Sequence, residues 1–119
     1  MKTVLGVMSD LFFSAKINDA AKQFGMTAKF VKDKGVALEY FKSKPALVIF
    51  DLNCAAADPL ELIRAAKEAA IPTAGFISHV QVDLKQKAQE AGCETVVARS
   101  VFAQKVVELL ESASDVSTK

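Results

Sequence analysis

Asp51, Asp10 and Arg99 are the residues of this 119-residue chain best placed to do chemistry. Asp51 closes a continuous apolar run, Ala46-Leu-Val-Ile-Phe50, the pattern of a strand buried on both faces of a parallel sheet. A carboxylate at the carboxyl end of such a strand stands at the edge where open α/β folds place their ligands. Asp10 follows another apolar run, Thr3–Met8, and Arg99 follows Thr95–Ala98. Carboxylates so placed hold an oxygen-seeking cation or act as nucleophiles, and a guanidinium pairs with them bidentately and permanently. Each residue also has a plainer role. Asp51 can cap a backbone amide at the strand end, Asp10 can be the N-cap of the next helix, and Arg99 can be solvated. His79 falls in a loop on the same edge, but no second base or nucleophile accompanies it, which favours a solvated histidine over a catalytic one. Cys54 and Cys93 lack the spacing of a metal site or a disulfide framework. Cys54 follows the third strand at its carboxyl end and Cys93 precedes the fifth at the opposite end of the sheet, so their Cα atoms should lie beyond the roughly 7 Å limit for a disulfide.

The elements that must position these residues alternate along the chain. Thr3–Met8 reads as a strand. Ser9 or Asp10 then caps a helix in which Phe13, Ile17, Ala20 or Ala21, and Phe24 recur at helical spacing, closed by Gly25. Thr27–Val31 is a more polar strand, as expected at a sheet edge. Asp33 caps a short helix burying Val36, Ala37, Tyr40 and Phe41. After Ala46–Phe50 comes a helix with Asp58 as N-cap, Pro59 at its first position and Glu61 in its first turn, running to about Ala70. Ile71–Ile77 is a fourth strand with Pro72 at its entry. Residues 78–82 form a loop, Asp83–Ala91 a helix closed by Gly92, and Thr95–Ala98 a fifth strand. Arg99-Ser100 then makes a short loop before a last helix, Val101–Glu111, burying Phe102, Val106, Leu109 and Leu110. The domain thus spans residues 1–111, and 112–119 should fray.

Five strands alternating with five helices demand right-handed crossovers and a doubly wound parallel sheet covered on both faces. The flavodoxin-like order 2-1-3-4-5 places the switch point between strands 1 and 3, so Asp51 faces the loop Met8-Ser9-Asp10. A flavin site would need a Ser/Thr/Gly-rich phosphate loop where Met8-Ser-Asp-Leu-Phe12 stands. A dinucleotide site would need Gly-x-Gly-x-x-Gly, which is absent.

Composition bounds the partners. The chain is 51% hydrophobic and 24% charged, with 15 basic and 14 acidic residues, which makes neither nucleic acid nor an anionic membrane surface the expected partner. Its apolar runs are strand-sized, too short for a membrane helix, and Lys2–Met8 is too short for a secretion signal. A cytoplasmic domain is the expectation.

The stretch Asp51-Leu-Asn-Cys-Ala-Ala-Ala-Asp-Pro-Leu-Glu-Leu62 resembles, without gaps, the phospho-acceptor loop and helix start of bacterial response-regulator receiver domains. Ile71-Pro72 and Ala88-Gln-Glu-Ala-Gly92 resemble that family's fourth strand and the end of its fourth helix. The resemblance implies a role in two-component phosphorelay signalling, with a histidine kinase or a downstream effector as partner and no enzymatic turnover of its own. It puts Asp51 at the phospho-acceptor position. Asn53 falls where a backbone carbonyl ligates Mg²⁺, and Arg99 where a lysine contacts the phosphoryl group. The family's partner surface corresponds to the last two helices and the fifth strand, including Lys85, Val96 and Lys105.

Three departures accompany the resemblance. The family's acidic pair falls on Met8 and Ser9, with Asp10 one residue late. Its hydroxyl falls on Ile77, with Ser78 one residue late, and its strand-5 aromatic falls on Val96. Without two carboxylates Mg²⁺ should bind weakly or not at all, because it dehydrates reluctantly. An Arg99–Asp51 ion pair would then satisfy the acceptor. The expectation is a pseudo-receiver that acts by docking. A phosphorylation-competent receiver, with bulges carrying Asp10 and Ser78 into a remodelled metal site, is the alternative. A small aspartyl-nucleophile phosphatase is remote, because Asn53 replaces that class's second aspartate and no cap domain follows. The sequence names neither the partner nor the oligomeric state.

Overall fold

Each short apolar run becomes a strand, and the polar, capped segment after it becomes a helix. A computed structural model describes residues 2–78 and 82–115. In order the elements are β1 (Thr3–Val7), α1 (Leu11–Gln23), β2 (Thr27–Val31), α2 (Lys34–Phe41), β3 (Leu47–Asp51), a 3₁₀ turn (Ala55–Ala57), α3 (Pro59–Glu68), β4 (Thr73–Ile77), α4 (Val82–Ala91), β5 (Thr95–Ala98) and α5 (Arg99–Asp115). The strands pair in parallel in the order β2-β1-β3-β4-β5, with Val7 opposite Phe50 and Asp51 opposite Phe76. The doubly wound sheet expected from the alternation is therefore present, with its switch point between β1 and β3.

The period of two along each strand divides the core into two layers. Leu47 and Ile49 of β3 pack with Phe13 and Ile17 of α1 and with Phe102, Val106 and Leu110 of α5. Val48, Phe50 and Leu52 pack on the other face with Ala37 and Phe41 of α2, Leu62 and Ile63 of α3 and Ala88 of α4. Asp51 continues the parity of Leu47 and Ile49, which puts it on the α1/α5 side.

Several boundaries differ from those read in the sequence. β4 starts at Thr73, because the Pro72 carbonyl already accepts from Val48 N at 3.0 Å and its ring nitrogen cannot extend the ladder. No loop separates β5 from α5. Arg99 and Ser100 form the first turn of the helix, which runs on to Asp115 and is tied near its end by Lys2 Nζ donating to the Ala113 carbonyl at 2.9 Å. The helix thus continues past the Glu111 boundary read in the sequence, and residues 116–119 lie outside the described residues. Val36 is 46% exposed rather than buried, because the eight-residue α2 turns Ala37 and Phe41, with Tyr40 partly buried beside them, towards the core. In α1, Phe13 is core, but Leu11 and Phe12 project from the first turn into solvent.

Helix ends follow one pattern. After α1, Met26 N donates to Ala21 O and Gly25 N to Lys22 O; after α4, Cys93 N donates to Ala88 O and Gly92 N to Gln89 O. Both turns place a left-handed glycine just past the helix. After α3 the same pair of bonds forms, Ile71 N to Ala66 O and Ala70 N to Lys67 O, but the left-handed residue is Ala70 (φ +61°). At the start of α3, Asp58 does not cap. Its φ of +52° turns the side chain away from the first-turn amides, and its carboxylate meets Lys34 Nζ at 3.4 Å instead.

Candidate functional site

Asp10 is engaged by both carboxylate oxygens. Oδ1 accepts from Phe13 N at 2.9 Å and so caps α1, while Oδ2 accepts from Arg99 Nη2. The guanidinium lies over two rings of the α1/α5 layer, 4.6 Å from the centre of Phe13 and 5.7 Å from that of Phe76. Phe13, Phe76 and Phe102 form a continuous aromatic cluster beneath it, with neighbouring centroids 4.8–5.7 Å apart. A cation on aromatic faces in a partly desolvated place gains more than one in water, and these two side chains are 35% (Arg99) and 18% (Asp10) exposed. Burial works to raise the Asp10 pKa, but the Phe13 amide and the hydrogen bond and charge of Arg99 outweigh it, holding the carboxyl below its ordinary range.

The Arg99–Asp51 ion pair expected from the sequence is therefore replaced by Arg99–Asp10. Two features on the α1/α5 side explain the change: the N-cap carboxylate of α1 and the ring platform that starts with Phe13. Asp51 is left half-buried. Its Oδ1 accepts from Asn53 N at 3.0 Å, and burial, outweighing that bond and the charge of Arg99, pushes its pKa up. The charge of Asp10 adds to the rise.

Asn53 does more than follow the acceptor. Its side-chain oxygen accepts from Ser78 N at 2.9 Å and straps the loop after β3 to the end of β4. Ser78 is thereby brought to the edge, with its side chain exposed. Met8 is buried and Ser9 exposed, so neither supplies a carboxylate or replaces one. Ile77 (4% exposed) and Val96 (5%) are buried in the same layer, on the α3/α4 side. Val96 thus leaves the partner surface to which the sequence assigned it, whereas Lys85 and Lys105 stand exposed. His79 lies outside the described residues. Cys54 and Cys93 are free thiols, as the topology required.

Would these residues hold a divalent cation? Among the described residues no group of three or more His, Cys, Asp or Glu is placed to do so. Both oxygens of Asp10 are taken, and Asp51 prefers its proton more than an ordinary carboxyl does. The donor set does not fit Mg²⁺, which demands charge-compensating oxygens in near-octahedral array.

No protein-family model matches the chain, and no curated protein is significantly similar to it. Solved structures are. A response regulator from Hahella chejuensis superposes with a TM-score of 0.83 at 22% identity, over 95% of this chain and 95% of that one. A response regulator from Thermotoga maritima gives 0.79 at 19% identity, over 97% and 98%. A response regulator receiver protein from Burkholderia phymatum gives 0.76 at 16% identity, over 96% and 95%. This chain has the receiver-domain fold. On that receiver fold the carboxyl edge of the sheet is lined by Met8, Asp10, Asp51, Ser78 and Arg99. The roles missed from sequence are those of Phe13 and Phe76 as the platform for Arg99 and of the Asn53 side chain as a strap. The signal for the first was present: Asp10 and Arg99 begin the two helices that share one face of the sheet.

Proposed function

We propose that this domain is a receiver-like signalling module of a two-component or derived pathway, whose output is docking to a signalling protein without a phosphoryl switch. The observation that carries the reading is the Arg99–Asp10 pair. It ties to Asp10 the guanidinium that stands at the family's phosphate-contacting position. The buried Ile77 and Val96 support the same conclusion, since neither a hydroxyl nor a swinging ring is available where a phosphate signal would be relayed. Nothing in the arrangement favours turnover of a substrate, and the partner is a histidine kinase or a downstream effector.

The docking face we assign comprises α4, β5 and α5, with Lys85 and Lys105 exposed and Val82 (67%) and Val101 (39%) as exposed apolar groups. Among the described residues no helix is long and apolar enough to cross a membrane, and the near-neutral charge favours a protein partner over nucleic acid. The second reading, a receiver phosphorylated on Asp51 through a remodelled site, draws on the strap from Asn53 that carries Ser78 to the edge. One experiment separates them. The partner is recovered by pull-down, and its affinity is measured for wild type, Asp51→Asn, Lys105→Glu and beryllofluoride-treated protein. Docking without a switch predicts changes within about threefold for Asp51→Asn and beryllofluoride and a larger loss for Lys105→Glu. A gain of about tenfold or more with beryllofluoride that Asp51→Asn abolishes would restore the phospho-switch.

A further inference from the structure

We propose that this chain pairs with a second copy of itself through α1 and the side of α5 packed against it, Phe12 of each copy seating in the groove between α1 and α5 of the other. Phe12 is the anchor. It is 65% exposed in the first turn of α1, yet its ring is not loose. It stands edge to face on Phe13, with centroids 5.3 Å apart, and Lys16 Nζ lies 6.0 Å from its centre. An aromatic group already held in place loses little conformational freedom on being covered, which suits it to the centre of an interface. The matching hole lies on the same face. Asp19 and Ala20 of α1 and Ala103, Val106 and Val107 of α5 line a groove of about 270 Å³. Its floor is apolar, made by buried Ala20 and Val106, with Val107 as an exposed wall. An apolar cavity of roughly 150 Å³ is enough to take a benzene ring. Phe12, Lys16 and Asp19 follow one another at four and three residues, so a single stripe of α1 carries both the anchor and one wall of the hole.

One two-fold axis satisfies all of these groups. Phe12 and Asp19 are about 10 Å apart along the helix. An axis crossing α1 midway between them, near Ala15, sets the two α1 helices antiparallel. Phe12 then stands opposite Asp19 of the other copy and over its groove, and the contact is made twice, as an isologous interface requires. Ala15 is exposed and carries only a methyl group, so the helices can approach closely at the axis. The charges fit the same register. Lys16 Nζ is turned back towards Phe12 and therefore towards Asp19 of the other copy. Among the described residues no ion pair within the chain claims either Lys16 or Asp19. A parallel arrangement would set Lys16 against Lys16 and Asp19 against Asp19, and would leave both grooves empty. A second copy is thus the occupant with which anchor, hole and charge all agree. Val107 follows Lys105 by two residues, about 200° round α5, so pairing on the α1 side leaves the face assigned above to a signalling partner open. The inference does not rest on that assignment.

The test is sedimentation velocity of the purified chain from about 5 µM to 1 mM, for wild type, Phe12→Ala, Lys16→Glu, Asp19→Lys and the double variant Lys16→Glu/Asp19→Lys, with folding checked by circular dichroism. Two helices on each side make a small interface, so a reversible dimer is expected, with a Kd no weaker than about 0.5 mM. Phe12→Ala should weaken it at least about tenfold, the effect of truncating a central aromatic anchor. Each single charge reversal sets like charges together at both ends of the interface and should weaken it about fivefold or more, whereas the double reversal should return to within about threefold of wild type. A wild type that stays monomeric at 1 mM would overturn the proposal. So would a dimer indifferent to Phe12→Ala and Asp19→Lys, which would use another face, and so would a double reversal as weak as the single ones. Should Phe12→Ala fail to fold, the charge variants decide, because their side chains take no part in the core. A failure here leaves the partner affinities of the beryllofluoride experiment untouched, so the two readings fall separately.

Discussion

Asp10 and Asp51 stand on the same edge of the sheet and titrate in opposite directions. The sign of each consequence follows from linkage. Asp51 has a folded pKa above its unfolded value, so its ionisation opposes folding; that cost is absent below the unfolded value of about 3.9 and complete above the folded one. Asp51→Asn should therefore raise the melting temperature at pH 7 by about 2–5 °C, a modest gain because half-exposure screens the charge. The gain should shrink to nothing as the pH falls below about 3.5. For Asp10 the folded pKa is depressed, so it contributes stability that is present above about 3.9 and is lost as the pH falls through the folded value. Asp10→Asn keeps an N-cap and removes only the ion pair, and it should lower the melting temperature by about 3–6 °C at pH 7, fading in acid. Thermal melts of the two variants from pH 3 to 7 check both signs. The position of Asp51 was legible because a single apolar run ends on it. Its partner was not, because a sequence shows that Arg99 is positive but not which of two anions the rings of Phe13 and Phe76 steer it towards.

At the scale of elements, local chemistry decided what could be read. The boundaries of β2 and β5 follow from their flanking polar residues, and α1 and α2 begin where Asp10 and Asp33 accept from Phe13 N and Val36 N. Misreadings occurred where tertiary packing outweighed a local signal. Asp58-Pro59 looks like a cap followed by its first helical residue, yet the chain arrives from the 3₁₀ turn in a left-handed conformation that aims the carboxylate elsewhere. Arg99-Ser100 looks like a loop because β5 has to end, yet both residues lie in the first turn of α5. The end of α3 was drawn too far for the same kind of reason: no glycine marks it. Ala70 adopts the conformation that Gly25 and Gly92 adopt, with a Cβ that strains it. Ala70→Gly should consequently stabilise the protein by about 0.5–1 kcal/mol, less than the full left-handed penalty because glycine is freer when unfolded. Urea denaturation checks it, with a higher midpoint and an unchanged slope expected. A lower midpoint would mean that the Ala70 methyl packs better than its half-turn of strain costs.

For the whole molecule the question is whether the two layers of the core communicate. The carboxyl edge is anchored in the α1/α5 layer, through Asp10, Arg99 and the aromatic cluster. The groups that would relay an event at Asp51 to the docking face, Ile77 and Val96, lie in the other layer, fully packed and without polar atoms. On the proposed switchless reading, these close-packed aliphatic side chains offer a phosphate no polar or aromatic group through which to select a second state. Leu52 N donates to Phe76 O of β4 and Ser78 N to the Asn53 side chain, so the polar links between the loop carrying Asp51's neighbours and β4 are local. A ligand with equal affinity for all populated states shifts nothing, whatever its strength. Beryllofluoride with Mg²⁺ at concentrations high enough to force binding should accordingly perturb amides within one turn of Asp51, Asn53 and Asp10. Amides of α4, β5 and the body of α5 should stay within the scatter of a buffer control. The measurement is a two-dimensional amide spectrum with and without the adduct, paired with hydrogen exchange of the same residues, and Asp51→Asn serves as the blank. Shifts spreading along β5 and α4 that vanish in Asp51→Asn would reveal a two-state element that the packing of Ile77 and Val96 gives no sign of.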